Sequence, residues 1–285
     1  MDSLVNFSKV KEGAMADFFG FAQELLNKGR AREGDPYADA ELYDLLVREG
    51  KDDHFYVRFA REQGGRVLDL ACGSGRLLPR LLKAGLEVTG LDLSPQMLKQ
   101  AKARVGAATS RLELVEGDMR DFSLSQSYDT IIIPYCSLIY MHSDADRLRV
   151  FQNCHSHLKS GGYLVFDFLA GEVDLGAGWP QLAMQGIHPF TEDILISVVQ
   201  IKGLSCDLRL LNQIDYSYPK EPGVPTITVY SSMEAVVSPQ RMTELLLRAG
   251  LDVEGVYNNS SLLEYDGGEE CLIIAQKPRE QKETS

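Results

Sequence analysis

The feature that most constrains this chain is a short apolar run, Arg66–Ala71, that ends in Cys72-Gly73-Ser74-Gly75 and is followed at once by leucines at 77, 78, 81 and 82. The run is strand-like, the glycines favour a sharp turn and the leucines recur at helical spacing, so the segment predicts strand, turn and helix. The pattern repeats. Glu87–Asp92 reads as a second strand, and Ser94-Pro95 opens a helix with an N-cap and a proline at its first position. Arg111–Val115, Tyr128–Ile133 and Gly162–Leu169 add three strands, with a helix over Asp144–Leu158. Strands that alternate with helices predict a parallel sheet wound by right-handed crossovers, with helices on both faces.

The flanks differ from this rhythm. Phe18, Phe21 and Leu25, then Leu42, Leu45 and Leu46, have helical spacing on either side of Gly34-Asp35-Pro36-Tyr37, which predicts an N-terminal helical cap over residues 1–63. Beyond Ala170, Cys206, Leu208, Leu210, Asn212, Ile214, Tyr216 and Tyr218 fall on one parity with mostly polar residues between them. That alternation predicts a half-buried antiparallel strand, and Ile194–Ile201 and Thr226–Val237 are its partners in a three-stranded insertion over 171–237. Ser238-Pro239 caps a helix that Gly250 ends, and Leu251–Tyr257 with Glu270–Gln276 have the spacing of a closing hairpin over 238–277. The expectation is one α/β domain over 1–277. Its core, 64–170, supplies five strands of a Rossmann-like, mostly parallel sheet of seven, the closing hairpin adds the other two, and a charged tail follows at 278–285.

The 285 residues are 44% hydrophobic and 25% charged, enough apolar residues for a substantial core. Lys plus Arg number 29 against 41 Asp plus Glu, a net charge of −12, so a polyanion is repelled and no nucleic-acid partner is expected. No run reaches the ~18 apolar residues of a membrane helix. The N-terminus carries Asp2 and Glu12 and lacks a signal-peptide core, so a cytoplasmic protein is expected, with no membrane partner. The five cysteines are odd in number and scattered, without a C-x-x-C pair, and read as reduced thiols. His155 and His157, two apart on a helix, do not share a face, and no metal site is expected.

The chemistry lies in the glycine turn. Gly73 and Gly75 let the backbone turn sharply and lie bare against a ligand, while Asp92, at the end of the next strand, can accept both hydroxyls of a ribose. A dinucleotide site would have a third glycine where Leu78 stands, which argues against an NAD-dependent oxidoreductase. In Val67-Leu68-Asp69-Leu70-Ala71-Cys72-Gly73-Ser74-Gly75 and Asp92, the chain resembles the class I S-adenosylmethionine-dependent methyltransferases, over roughly Gly64 to Leu169. The resemblance implies S-adenosylmethionine as cofactor. Asp69, Ala71, Cys72, Gly73 and Gly75 would border its methionine part, Asp92 its ribose, and Leu93 and Met97 its adenine. Gly117, Asp118 and Met119 would complete the adenine site, and Pro134 would stand at the edge of the reaction centre.

Ile133-Pro134-Tyr135 lacks the polar residue and second proline of nucleic-acid amino-methyltransferases. The run GDMRDFSL, the N-terminal segment with Tyr37 and Tyr43, which would also bind the cofactor, and the strand-rich insertion are instead similar to small-molecule enzymes that include amino-sugar N,N-dimethyltransferases. The implied reaction is in-line methyl transfer to a nitrogen or oxygen of a small acceptor, with Tyr140, His142 and His188 as candidate bases. The insertion leaves from the carboxyl end of the fifth strand, so it is expected to act as a lid, with Ile214, Tyr216 and Tyr218 facing the pocket; the alternative for that apolar face is a homodimer contact. A non-catalytic S-adenosylmethionine-binding protein is the other reading.

Overall fold

The computed structural model describes residues 18–35, 52–106, 110–188, 191–258 and 260–279. They fall into two compact units, one of residues 18–35 with 173–234 and the other of residues 52–172 with 235–279. Of the segment expected as an N-terminal cap, described residues 18–35 group with the insertion and 52–63 with the core.

The larger unit begins with helix α1 (Asp53–Gln63) and strand β1 (Arg66–Leu70), followed by α2 (Leu78–Lys83), β2 (Glu87–Asp92), α3 (Pro95–Val105), β3 (Leu112–Glu116) and β4 (Tyr128–Ile133). It continues with α4 (Asp144–His157) and β5 (Leu158–Leu169), then after the insertion α5 (Pro239–Arg248), β6 (Asp252–Tyr257) and β7 (Glu270–Gln276). The seven strands lie in the order β6-β7-β5-β4-β1-β2-β3. β1 to β5 run parallel, and β7 is antiparallel to both β5 and β6.

Burial explains the apolar runs. Val67, Leu68 and Leu70 are buried on both faces of the sheet, as a central parallel strand requires, and helical Leu78, Leu81 and Leu82 pack with Val67, Val88, Ile132 and Val165. Three serines start helices, Ser94 and Ser238 as predicted and Ser143 in addition. The hydroxyls of Ser94, Ser143 and Ser238 accept the amides of Met97, Asp146 and Arg241 at 3.3, 3.1 and 3.3 Å. β5 starts earlier than the expected Gly162 because α4 passes directly into it: Leu158 pairs with Tyr128, and the next pair, Thr130 with Tyr163, leaves an irregularity that includes Gly161 at φ 79°.

The insertion contributes four strands where three are expected, and Arg32–Glu33 adds a fifth to the same sheet. They lie in the order Arg32–Glu33, Thr226–Ala235, Leu208–Tyr218, Ile194–Gly203, Gln181–Ile187. The predicted alternation holds where Leu210, Asn212 and Ile214 are buried. Their cover comes from the same unit: Ala22 of the helix Gly20–Asn27 packs with Ile214 and Val229, and Leu25, Leu26 and Tyr216 join them. Asn212, the polar member of the apolar parity, accepts the Phe19 amide at 2.9 Å and so ties the start of that helix to the sheet. The face expected to line a pocket or a dimer is thus closed at Ile214 and Tyr216 by the N-terminal helix, while Tyr218 stays exposed. All five cysteines are free thiols. No helix among the described residues is long and apolar enough to cross a membrane.

Candidate functional site

Strand order reverses at β1, whose chain continues to β2 on one side while β4 occupies the other. Such a switch point opens a crevice at the carboxyl ends of the strands. A cleft lies there. Of the residues expected from the sequence, Asp69, Ala71, Cys72, Gly73 and Pro134 line it. Arg76, Tyr135 and Ser137 line it too, and sequence reasoning passed over all three as site residues.

The two glycines of the turn have different work. Gly73 sits at φ 55° with no atom within 4 Å of where a Cβ would stand, so its backbone is bare toward the cleft. Gly75, at φ 77°, does not line the cleft. A Cβ there would stand 2.8 Å from Ala101 Cβ and 2.9 Å from Ala101 Cα, so this glycine lets the turn pack on α3. Ala71 also adopts positive φ, at 56°, a conformation that suits glycine better.

Asp92 holds the turn. One carboxylate oxygen accepts the Gly73 amide and the other the Ser94 amide, both at 2.8 Å. Burial raises its pKa, and the amides of Ser94, Gly73 and Leu93 oppose the rise. The Gly117 amide donates to the Asp92 carbonyl at 3.0 Å, joining the ends of β2 and β3. Leu93 is half exposed, Met97 is buried and Met119 is partly buried. Asp118 is engaged by Arg120, whose backbone amide donates to it at 2.9 Å and whose guanidinium approaches to 2.5 Å. Desolvation pushes the Asp118 carboxyl up, but the Arg120 hydrogen bonds outweigh it and hold the pKa below the usual value.

Asp69 is 1% exposed and its Oδ1 has no hydrogen-bond partner. Burial pushes its pKa up to about 8, against the attraction of Arg76 and with help from Asp92 and Asp53. Between the unfolded value of ~3.9 and the folded one, the native state holds a proton that the unfolded chain has released, so Asp69 makes stability fall as pH rises through that window. Asp69→Asn removes the titration. Its midpoint of urea unfolding, relative to wild type, should therefore increase from pH 5 to pH 8 in the ligand-free protein; a difference that does not change with pH would refute this account of Asp69.

Residues 67–162, which include the glycine turn, match the family described as methyltransferase domain. Residues 67–162 form a methyltransferase domain. The chain is 35% identical over 131 residues to a putative methyltransferase, YqeM, of Bacillus subtilis, covering 45% of this chain and 53% of that protein. It is 30% identical over 136 residues to the dTDP-3-amino-3,4,6-trideoxy-alpha-D-glucopyranose N,N-dimethyltransferase of Streptomyces venezuelae, covering 45% and 56%. The chain thus spans about half the length of these relatives. The crystal structure of an S-adenosylmethionine-dependent methyltransferase from Clostridium acetobutylicum superposes with a TM-score of 0.69 at 18% identity, over 84% of this chain and 97% of that one, and shares its fold.

The remaining expected residues divide. Tyr140 is exposed at the end of the short 3-10 helix Ser137–Tyr140, directly after the cleft residues of the methyltransferase domain, and His142 follows it, partly buried. His188 belongs to the other unit. There its amide donates to the Asp193 carbonyl at 2.8 Å and its Nδ1 accepts the Thr191 amide at 3.2 Å, so it fastens a hairpin turn. Tyr37 and Tyr43 lie outside the described residues. Two groups in the larger unit had no sequence signal. Asp53, 1% exposed, pairs with Arg76 at 3.2 Å and Arg80 at 3.4 Å, and the Arg76 guanidinium stands 5.0 Å from the centre of the Tyr135 ring. Asp167 and Tyr56 share a hydrogen bond in the interior.

Proposed function

We propose that this chain transfers a methyl group from S-adenosylmethionine to a nitrogen of a small-molecule acceptor. The observation that carries the reading is the bare Gly73 backbone in a cleft at the switch point, with the Asp92 carboxylate bonded to its amide. The residues present fit the cofactor: Gly73 leaves open the space that a Cβ would take, and Asp69 offers a buried oxygen without a partner to an ammonium group. Arg76, in the same cleft, offers a fork of donors to a carboxylate. Asp92 keeps lone pairs for ribose hydroxyls beyond the two amides it accepts. Leu93 presents an exposed apolar surface to adenine, Met97 is buried on the helix that follows, and Asp118, oriented by Arg120, accepts from the adenine amino group beside Gly117 and Met119.

When bound, the cofactor supplies a methyl group already activated on a sulfonium. The residues of the chain then have to align the acceptor and exclude water. An amine that has lost its proton to solvent needs no base. Tyr140 and His142 remain the bases for an oxygen acceptor. Nitrogen is supported by the amino-sugar N,N-dimethyltransferase among the relatives.

The test is incubation of the protein with S-adenosylmethionine and a panel of sugar, amino-acid and peptide amines, followed by mass spectrometry. Stoichiometric S-adenosylhomocysteine and a methylated amine are expected. Cofactor binding without turnover on any acceptor would favour a non-catalytic binding protein.

A further inference from the structure

The loop after β4 is built in an unfavourable conformation. Tyr135 and Cys136 follow one another at φ 62° and 51°, the left-handed region in which a residue with a Cβ is disfavoured and which paired turn positions leave to Asn and Gly. One side chain holds both. The Asp167 carboxylate, on β5, accepts the Tyr135 amide at 2.8 Å through one oxygen and the Cys136 amide at 2.6 Å through the other. The Tyr56 hydroxyl, on α1, donates to the first of these oxygens, and Tyr56 is itself 1% exposed, so the carboxylate is fixed from behind. Ser137 Oγ closes the turn by donating to the Pro134 carbonyl at 2.8 Å. The result is that Tyr135, a large aromatic residue that is 48% exposed, stands in the cleft with Arg76 against its ring.

Non-glycine residues at positive φ persist where the surroundings over-determine them, and they gather at sites where geometry matters. We infer that Asp167 and Tyr56 are positioning residues, which act through the strained Tyr135-Cys136 pair to hold Tyr135 and Arg76 in the cofactor-binding arrangement. This rests on the reading of the cleft as the S-adenosylmethionine site. Neither residue lines the cleft, and a change at either reaches the ligand through the turn.

Asp167→Asn replaces one acceptor with a donor and so breaks one of the two amide bonds. The amides of Tyr135 and Cys136, followed by hydrogen exchange in the ligand-free protein, should then exchange at least about tenfold faster, and affinity for S-adenosylhomocysteine by calorimetry should fall about tenfold. Adding Cys136→Gly, which adopts left-handed φ freely, should bring affinity back to within about threefold of wild type although the amides still exchange fast. A residue with a purely structural role would not behave so: affinity of the folded protein would stay unchanged and the glycine would only destabilise further. Tyr56→Phe removes the hydroxyl alone, should show the same pattern at smaller size, and keeps the test open if Asp167→Asn does not fold. Unchanged exchange, unchanged affinity despite faster exchange, or no recovery with Cys136→Gly would each overturn the inference. Wild-type protein that fails to bind S-adenosylhomocysteine would overturn the reading of the cleft instead, and the exchange rates would show that separately.

Discussion

Gly75→Ala should unfold or severely destabilise the protein, whereas Gly73→Ala should leave the fold largely intact and weaken cofactor binding. At Gly75 two penalties add: left-handed backbone costs an alanine roughly 1–2 kcal/mol, and forcing a methyl group into a packed contact costs roughly 1–3 kcal/mol more. The contact is with Ala101 Cα and Cβ at 2.9 and 2.8 Å, and α3 backbone cannot step aside as a flexible side-chain end can. At Gly73 only the conformational penalty applies, because a methyl group would meet open space. That space is where the methionine part of the cofactor is proposed to lie. Urea unfolding should therefore give a loss of roughly 2–5 kcal/mol for Gly75→Ala and about 1–2 kcal/mol for Gly73→Ala. Equal losses would mean that the turn does not divide packing from binding in this way.

Asp92→Ala is expected to weaken S-adenosylhomocysteine about ten- to a hundred-fold, the range for losing charge-assisted bonds worth roughly 1.5–3 kcal/mol. The carboxylate has two tasks, since the ribose bonds are proposed to add to those it already accepts from Gly73 and Ser94. Its removal also leaves the Gly73 amide without an acceptor at the floor of the cleft. Asp92→Asn separates the tasks: an amide oxygen can still accept from one backbone N–H, but the charge that strengthens the ribose bonds is gone. Calorimetry should rank wild type, Asn and Ala in that order. Affinity unchanged in both variants would remove Asp92 from the cofactor site.

The parallel half of the fold was legible because each βα unit announces itself locally. Arg66–Leu70 and Glu87–Asp92 are apolar runs bounded by turn residues, and Ser94-Pro95 and Ser238-Pro239 mark helix starts that the hydroxyl caps confirm. What escaped were pairings between distant segments. Arg32–Glu33 is a two-residue strand with no pattern of its own, and only its pairing with Thr228–Val229 makes it one. The helix at Gly20–Asn27 was visible from its spacing, but nothing in it said that it would cover Ile214 rather than the parallel sheet. Within the site, the GxG turn and Asp92 were legible because they lie within one βα unit and its successor. The different duties of Gly73 and Gly75 were not, since that depends on Ala101, and the hold of Asp167 on Tyr135 joins residues 32 apart in sequence through side-chain chemistry that leaves no periodic trace.

If the cleft beside Gly73 is a site for S-adenosylmethionine, titration calorimetry of the purified chain will register it. S-adenosylmethionine and S-adenosylhomocysteine should each bind saturably at one site per chain, with affinity reduced in both Gly73→Ala and Asp92→Ala. NADH should give no binding, because Leu78 stands where a dinucleotide turn has its third glycine. Saturable binding of NADH with none of S-adenosylhomocysteine would rule out a methyl-donor site in this cleft.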